Sequence, residues 1–167
     1  MGTDPGAIPM ADPLAYFLTW TTYGTWLPGD ERGWVEKPGA FQPPNPRLEA
    51  VARSLLSEEP CVFNDEQRRL VEETIAKHCA IRGWHLHIVN CRTTHVHVIV
   101  TAPVHPKIVR DQFKAWCTRR LKEQQRVSNA DPSQPVRVHW WTEGGSQRWI
   151  NDEESLAAAI IYVRDCQ

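Results

Sequence analysis

Residues 83–103 read GWHLHIVNCRTTHVHVIVTAP, and this stretch decides the fold. Two runs, 84–90 and 95–102, are rich in β-branched and aromatic residues and flank the short polar turn Cys91-Arg92-Thr93-Thr94. Strands favour such residues, and a turn this short joins antiparallel neighbours. A hairpin is therefore expected. Side chains alternate faces along a strand, so His95 and His97 share one face while Val96, Val98 and Val100 take the core face. The first strand carries another pair, His85 and His87. If Leu86 and Ile88 point to the core, all four of these histidines share a face, with His85 and His87 read as structural or supporting groups. His78, His105 and His139 show no partner pattern.

Upstream, Asn64 or Asp65 can cap a helix running to about Arg82, with Leu70, Val71, Ile75 and Cys79 on one face and Gly83 as its stop. Residues 14–22 read as a first strand. Residues 24–60 are dense in Gly and Pro and are expected to form a long ordered loop, with a short helix near 48–56. Loops of this length usually serve function or cover an edge. Residues 1–13 hold three prolines and two glycines and read as a flexible lead-in.

Downstream, Pro106 opens a helix to about Gln125, with Val109, Phe113, Trp116, Cys117 and Leu121 as its buried stripe. Residues 129–135 form a loop, and 136–142 (VRVHWWT) read as a fourth strand. Asn151 and Glu154 resemble a capping box for a last helix carrying Leu156, Ala159, Ile160 and Val163. The fold class is α+β: a ferredoxin-like βαββαβ antiparallel sheet with helices on one face, plus a C-terminal helix bearing a tyrosine. Residues 14–167 then make one domain.

The chain has 167 residues, 41% hydrophobic and 23% charged, which suits a folded domain with a real core rather than a disordered segment. No run is long enough to span a membrane, and the start lacks the basic and apolar regions of a secretory signal, so a cytoplasmic protein with no membrane partner is expected. Five cysteines, an odd number with no CxxC pair, argue against a disulfide scaffold or zinc ribbon. The net charge of −1, taken alone, argues mildly against a protein that coats duplex DNA without sequence preference. Its distribution says more: seven basic residues lie between Lys107 and Arg126 against Asp111 and Glu123. Lys107, Lys114, Arg119, Arg120 and Lys122 are candidate phosphate contacts, and Trp116 is a candidate for packing or base stacking. The Gly144-Gly145-Ser146 stretch with Arg148 is a weaker phosphate-binding candidate through its backbone N–H groups.

Two imidazoles on one strand face begin a metal site, since neutral imidazole suits several divalent ions, although a pair of hydrogen-bonded strand histidines has the same spacing. There are three tyrosines. Tyr16 falls in the apolar first strand and Tyr23 at its end. Tyr162 lies about 120° from the centre of the last helix's apolar stripe at 100° per residue, on the boundary of the buried face. From its position alone it reads as an amphipathic boundary tyrosine rather than as a nucleophile.

Taken together, FLTWTTYGTWLPGDERG (17–33), GWHLHIVNCRTTHVHVIVTAP (83–103), FKAWCTRRL (113–121), WTEGGSQRWI (141–150) and AAAIIYVRDCQ (157–167) resemble the single-tyrosine HUH transposases, and most closely the REP-associated tyrosine transposase group. The resemblance covers nearly the whole chain from about Leu14. It implies that His95 and His97 bind Mg²⁺ or Mn²⁺ and that Tyr162 attacks a DNA phosphate, leaving a 5′-phosphotyrosine and a free 3′-OH. It implies single-stranded or hairpin DNA as partner, and either a monomer or a homodimer. The group often places a Gln or Asn ligand four residues after the tyrosine. Here that position is Cys166, a poor ligand for a hard cation, which leaves Asp165 or Gln167 as third-ligand candidates. The alternative is a non-catalytic nucleic-acid-binding module of the same descent. Replication-initiator and relaxase HUH enzymes fit less well, because those chains usually carry further domains.

Overall fold

The structure, a computed structural model, describes residues 13–36 and 39–165. The expected flexible lead-in, except Pro13, and the Cys166 and Gln167 positions lie outside those residues. Ten elements follow in order: β1 Ala15–Thr21, β2 Trp34–Glu36, β3 Ala40–Gln42, α1 Pro46–Ser54, α2 Asp65–Arg82, β4 His85–Cys91, β5 His95–Thr101, α3 Pro106–Ser128, β6 Ser146–Ile150 and α4 Glu153–Asp165. The main sheet runs β4-β5-β1-β6, every neighbouring pair antiparallel. Counting only those four strands, this is the ferredoxin-like order.

The helix boundaries follow from local chemistry. Asn64 and Gln67 form a reciprocal capping box at the start of α2, which satisfies two otherwise orphaned N–H groups. Gly83 ends that helix in the left-handed region, φ 70°, where a side chain is disfavoured. Pro106 opens α3, where its missing N–H has no helical partner to lose. At α4 the cap is Asp152 rather than Asn151: its Oδ1 accepts from the Ser155 N–H at 2.7 Å.

The two sheet faces carry different helices. Tyr16, Leu18, Trp20, Val96, Val98 and Val100 pack with Val71, Ile75 and Cys79 of α2 and Val109, Phe113, Cys117 and Leu121 of α3. Ala15, Phe17 and Ile99 face the other way, against Ile150 and Val163. The helices expected on one face are α2 and α3, and α4 covers the opposite face, where His95 and His97 also lie.

Trp116, expected in the buried stripe of α3, is instead exposed, and two expectations about the strands are corrected. The stretch 136–142 makes only one isolated bridge, Thr22 to Trp141, and the fourth sheet strand is β6. The Val138 and His139 N–H groups donate instead to the Glu58 carboxylate, at 3.1 and 2.7 Å, so that backbone is not free to extend the sheet. Gly144 and Gly145 then turn the chain back onto β1. A Cβ at Gly145 would lie 2.6 Å from the Thr19 carbonyl oxygen, and its φ is +142°, so only glycine passes there. The second correction is in β4, where the register slips between Leu86 and Ile88. This bulge places one extra residue on the strand. Leu86 packs on the α2/α3 side, whereas Ile88 joins the α4 side.

The 24–60 region holds the β2–β3 hairpin and α1. Asn45 caps α1, its side chain accepting from the Leu48 N–H at 3.1 Å.

Candidate active site

β5 lies between β4 and β1, and its α4-side face carries His95 and His97, their ring centroids 4.9 Å apart. His97 pairs across the strands with Thr19 of β1 and Asn90 of β4, and both neighbours act on the site. The Thr19 hydroxyl lies 2.8 Å from His97 Nδ1, so Nε2 is the ring nitrogen left for a ligand. Asn90 Nδ2 donates to the Val163 carbonyl of α4 at 3.0 Å, which ties the helix down one residue beyond the tyrosine. Tyr162 stands with its ring centroid 6.1 Å from that of His97. Phe17 packs beside both, 5.7 Å from His97 and 6.2 Å from Tyr162. The phenol ring is 48% exposed while His97 is 8% exposed: the imidazole is sheltered, and the tyrosine stays open to a ligand arriving from solvent.

Electrostatics suit a cation ligand. Burial, reinforced by His95 and Arg92, pushes His97 down to about 4. Burial also lowers His95, helped by Arg92 and Arg32. Lowered values keep imidazoles neutral near pH 7 with a lone pair to donate. Two guanidinium groups without an ion-pair partner among the described residues flank the rings: Arg92 in the β4–β5 turn, and Arg148 on β6, whose Cζ is 5.9 Å from the Phe17 ring centroid. Arg32 is committed to Asp30 through Nε at 2.7 Å and Nη2 at 2.6 Å. The surroundings therefore carry positive charge, as a phosphate-binding site requires.

The donors fit part of a divalent-cation site. Two neutral imidazoles are present, but among the described residues no set of three His, Cys, Asp or Glu side chains could hold an ion. Asp165 pairs with Arg164 at 2.7 Å, and Gln167 lies outside the described residues. Carbonyl or amide oxygens, water or a substrate phosphate are the remaining candidates for further positions.

The structure does not bring the predicted DNA-contact residues to this place. Lys107, Lys114, Trp116, Arg119, Arg120 and Lys122 all lie on α3, across the sheet from the histidines. Lys107 pairs with Asp111 at 2.9 Å, and Arg119 and Arg120 both pair with Glu123, at 3.6 and 3.0 Å. Lys114 is structural: its ammonium donates to the Thr142 and Gly144 carbonyls, and burial pushes it down to about 8. Trp116 is 42% exposed, with the Arg119 guanidinium 5.4 Å from its ring centroid. Sequence reasoning left out Thr19, Asn90 and Arg92. The first two follow from cross-strand register, and Arg92 from its place in the turn before His95.

No protein-family model matches the chain, and no curated protein matches it either. The chain is similar to a crystal structure described as "a putative transposase" from Deinococcus radiodurans R1, with 14% identity over 99% of this chain and 97% of that one and a TM-score of 0.45.

Proposed function

We propose that this protein is a metal-assisted, single-tyrosine DNA strand-transfer enzyme of the HUH transposase type, acting on single-stranded or hairpin-forming DNA. One observation carries the reading: the Tyr162 ring lies 6.1 Å from His97 on the face where His95 and His97 stand together. Their placement by separate elements, α4 and β5, also makes sense of the sequence resemblance.

In this reading the Tyr162 oxygen attacks a DNA phosphorus and the bond to the 3′ oxygen breaks. The phenol gives up its proton, the departing 3′ oxygen takes one up, and the 5′ phosphate remains esterified to the tyrosine. Attack by a 3′-OH on that ester reverses the step and rejoins a strand. His95 and His97 would hold the cation, Mg²⁺ or Mn²⁺, which supplies polarisation of the scissile phosphate and offsets its developing charge. Arg92 and Arg148 bind and orient phosphate oxygens, Thr19 orients the His97 ring, and Asn90 holds α4 in register. The remaining basic face of α3 would contact DNA away from the scissile position.

A second reading is favoured by Cys166, a poor ligand for a hard cation, at the position where the resemblance expects a third donor: a module that binds nucleic acid without cutting it. Labelled single-stranded hairpins separate the two. Cleavage with Mn²⁺ that EDTA abolishes is the expected result. Tight binding in EDTA with no product under Mn²⁺ would select the non-catalytic reading.

A further inference from the structure

The other histidine pair, on β4, forms a cluster distinct from the one described above. The His85 and His87 rings lie 4.4 Å apart, edge to face. They stand toward the opposite end of β5, since His85 pairs with Thr101 whereas His95 pairs with Thr21. The β4 bulge places the pair there: the extra residue at the Leu86/Ile88 slip lets two side chains two apart crowd one spot.

Proton positions in this cluster can be deduced. The Thr101 hydroxyl donates its only proton to the Leu14 carbonyl, which can only accept. The same oxygen lies 2.8 Å from His87 Nε2, so Nε2 carries the hydrogen and donates it. Burial, His85 next, holds His87 below the usual histidine range, with Glu153 opposing. His87 thus donates from Nε2, which turns its Nδ1 outward from that bond with no hydrogen-bond partner among the described residues. A ligating imidazole typically has its other nitrogen anchored in this way. His85 beside it is exposed, so a cation can reach the pair from solvent. Among the described residues, the acid whose charge acts on His87 is Glu153, the first residue of α4, and its carboxylate favours a cation there.

We propose that His85 and His87 form a second metal site, which takes a borderline transition-metal ion such as Ni²⁺ or Zn²⁺ in preference to Mg²⁺, with Glu153 supplying the negative field. Imidazole nitrogen suits such ions, whereas Mg²⁺ demands oxygen donors. The two imidazoles are the protein's donors at this site, since no third His, Cys, Asp or Glu among the described residues joins them, and water would fill the other positions.

Calorimetric titration of Ni²⁺ into a chain carrying His95→Asn and His97→Asn tests the assignment without interference from the other pair. One equivalent should still bind. His85→Ala, at an exposed position, should weaken it by about tenfold or more, and Glu153→Gln by a smaller factor. Binding that survives His85→Ala unchanged overturns the proposal, as does binding that the His95→Asn, His97→Asn pair already abolishes. In the unaltered chain, sub-stoichiometric Ni²⁺ should perturb the His85 and His87 imidazole resonances. Perturbation confined to other histidines overturns the proposal even if a variant fails to fold.

Discussion

Acidification should destabilise the metal-free protein through His97. An imidazole ordinarily ionises near 6.5, and burial pushes this one down to about 4. The side chain is buried at 8% exposure, so little of that effect is screened. Between the two pH values the unfolded chain binds a proton that the folded chain refuses. Stability therefore falls as pH drops through that window and levels off below about 4. At 1.36 kcal/mol per pH unit the whole window is worth roughly 3 kcal/mol, and the part between about pH 6.5 and pH 5 about 2 kcal/mol. Guanidinium unfolding in EDTA at these two pH values, for the unaltered chain and for His97→Gln, reads this directly. His87 and His95 are present in both proteins, so their contributions largely cancel in the comparison. The unaltered chain should lose about 2 kcal/mol more than the variant. Parallel losses would mean that the ring titrates like a solvated histidine and that its shelter is not real. The same shift has a functional side, because protons should not displace a cation from His97 until the solution is well below neutrality.

Asn90→Ala removes the tether to the Val163 carbonyl, worth about 1 kcal/mol. Faster hydrogen exchange in the last turn of α4 and a several-fold slower covalent step are expected, and unchanged exchange would show that the tether is idle. Replacing Arg92 and Arg148 together by Ala should cut the cleavage rate by more than about tenfold while leaving the melting temperature nearly unaltered. Equal rates would remove both from the site. Lys114→Met should destabilise the fold by about 1–3 kcal/mol without weakening oligonucleotide binding. Arg119→Ala with Arg120→Ala should lower affinity and flatten its salt dependence by about two phosphate contacts. The reverse pattern would restore Lys114 to the DNA-contact set.

The frame of this fold was legible because alternation and capping are local. His95-Val96-His97-Val98 declares which face is core, Asn64 and Gln67 declare where α2 begins, and Gly83 declares where it stops. What escaped depended on partners distant in sequence. Val138 and His139 look like strand residues until Glu58, eighty residues upstream of Val138, takes their N–H groups. The β4 bulge moves Ile88 to the other face without any glycine or proline to announce it. The last helix reads as amphipathic, but which side of the sheet it covers follows from where β6 delivers the chain. The site divides in the same way. Its two imidazoles could be paired from spacing alone and Arg148 could be read as a phosphate candidate, while Thr19, Asn90 and Arg92 emerge only once strands β4, β5, β1 and β6 lie side by side.

The central claim is that Tyr162 becomes joined to DNA. Incubation with a hairpin oligonucleotide and Mn²⁺, trypsin and nuclease digestion, and mass spectrometry should show the peptide 149–164 carrying a 5′-linked nucleotide. That species should vanish with EDTA and in Tyr162→Phe. A nucleotide found on Tyr16 or Tyr23, or an adduct that persists in Tyr162→Phe, would contradict the account.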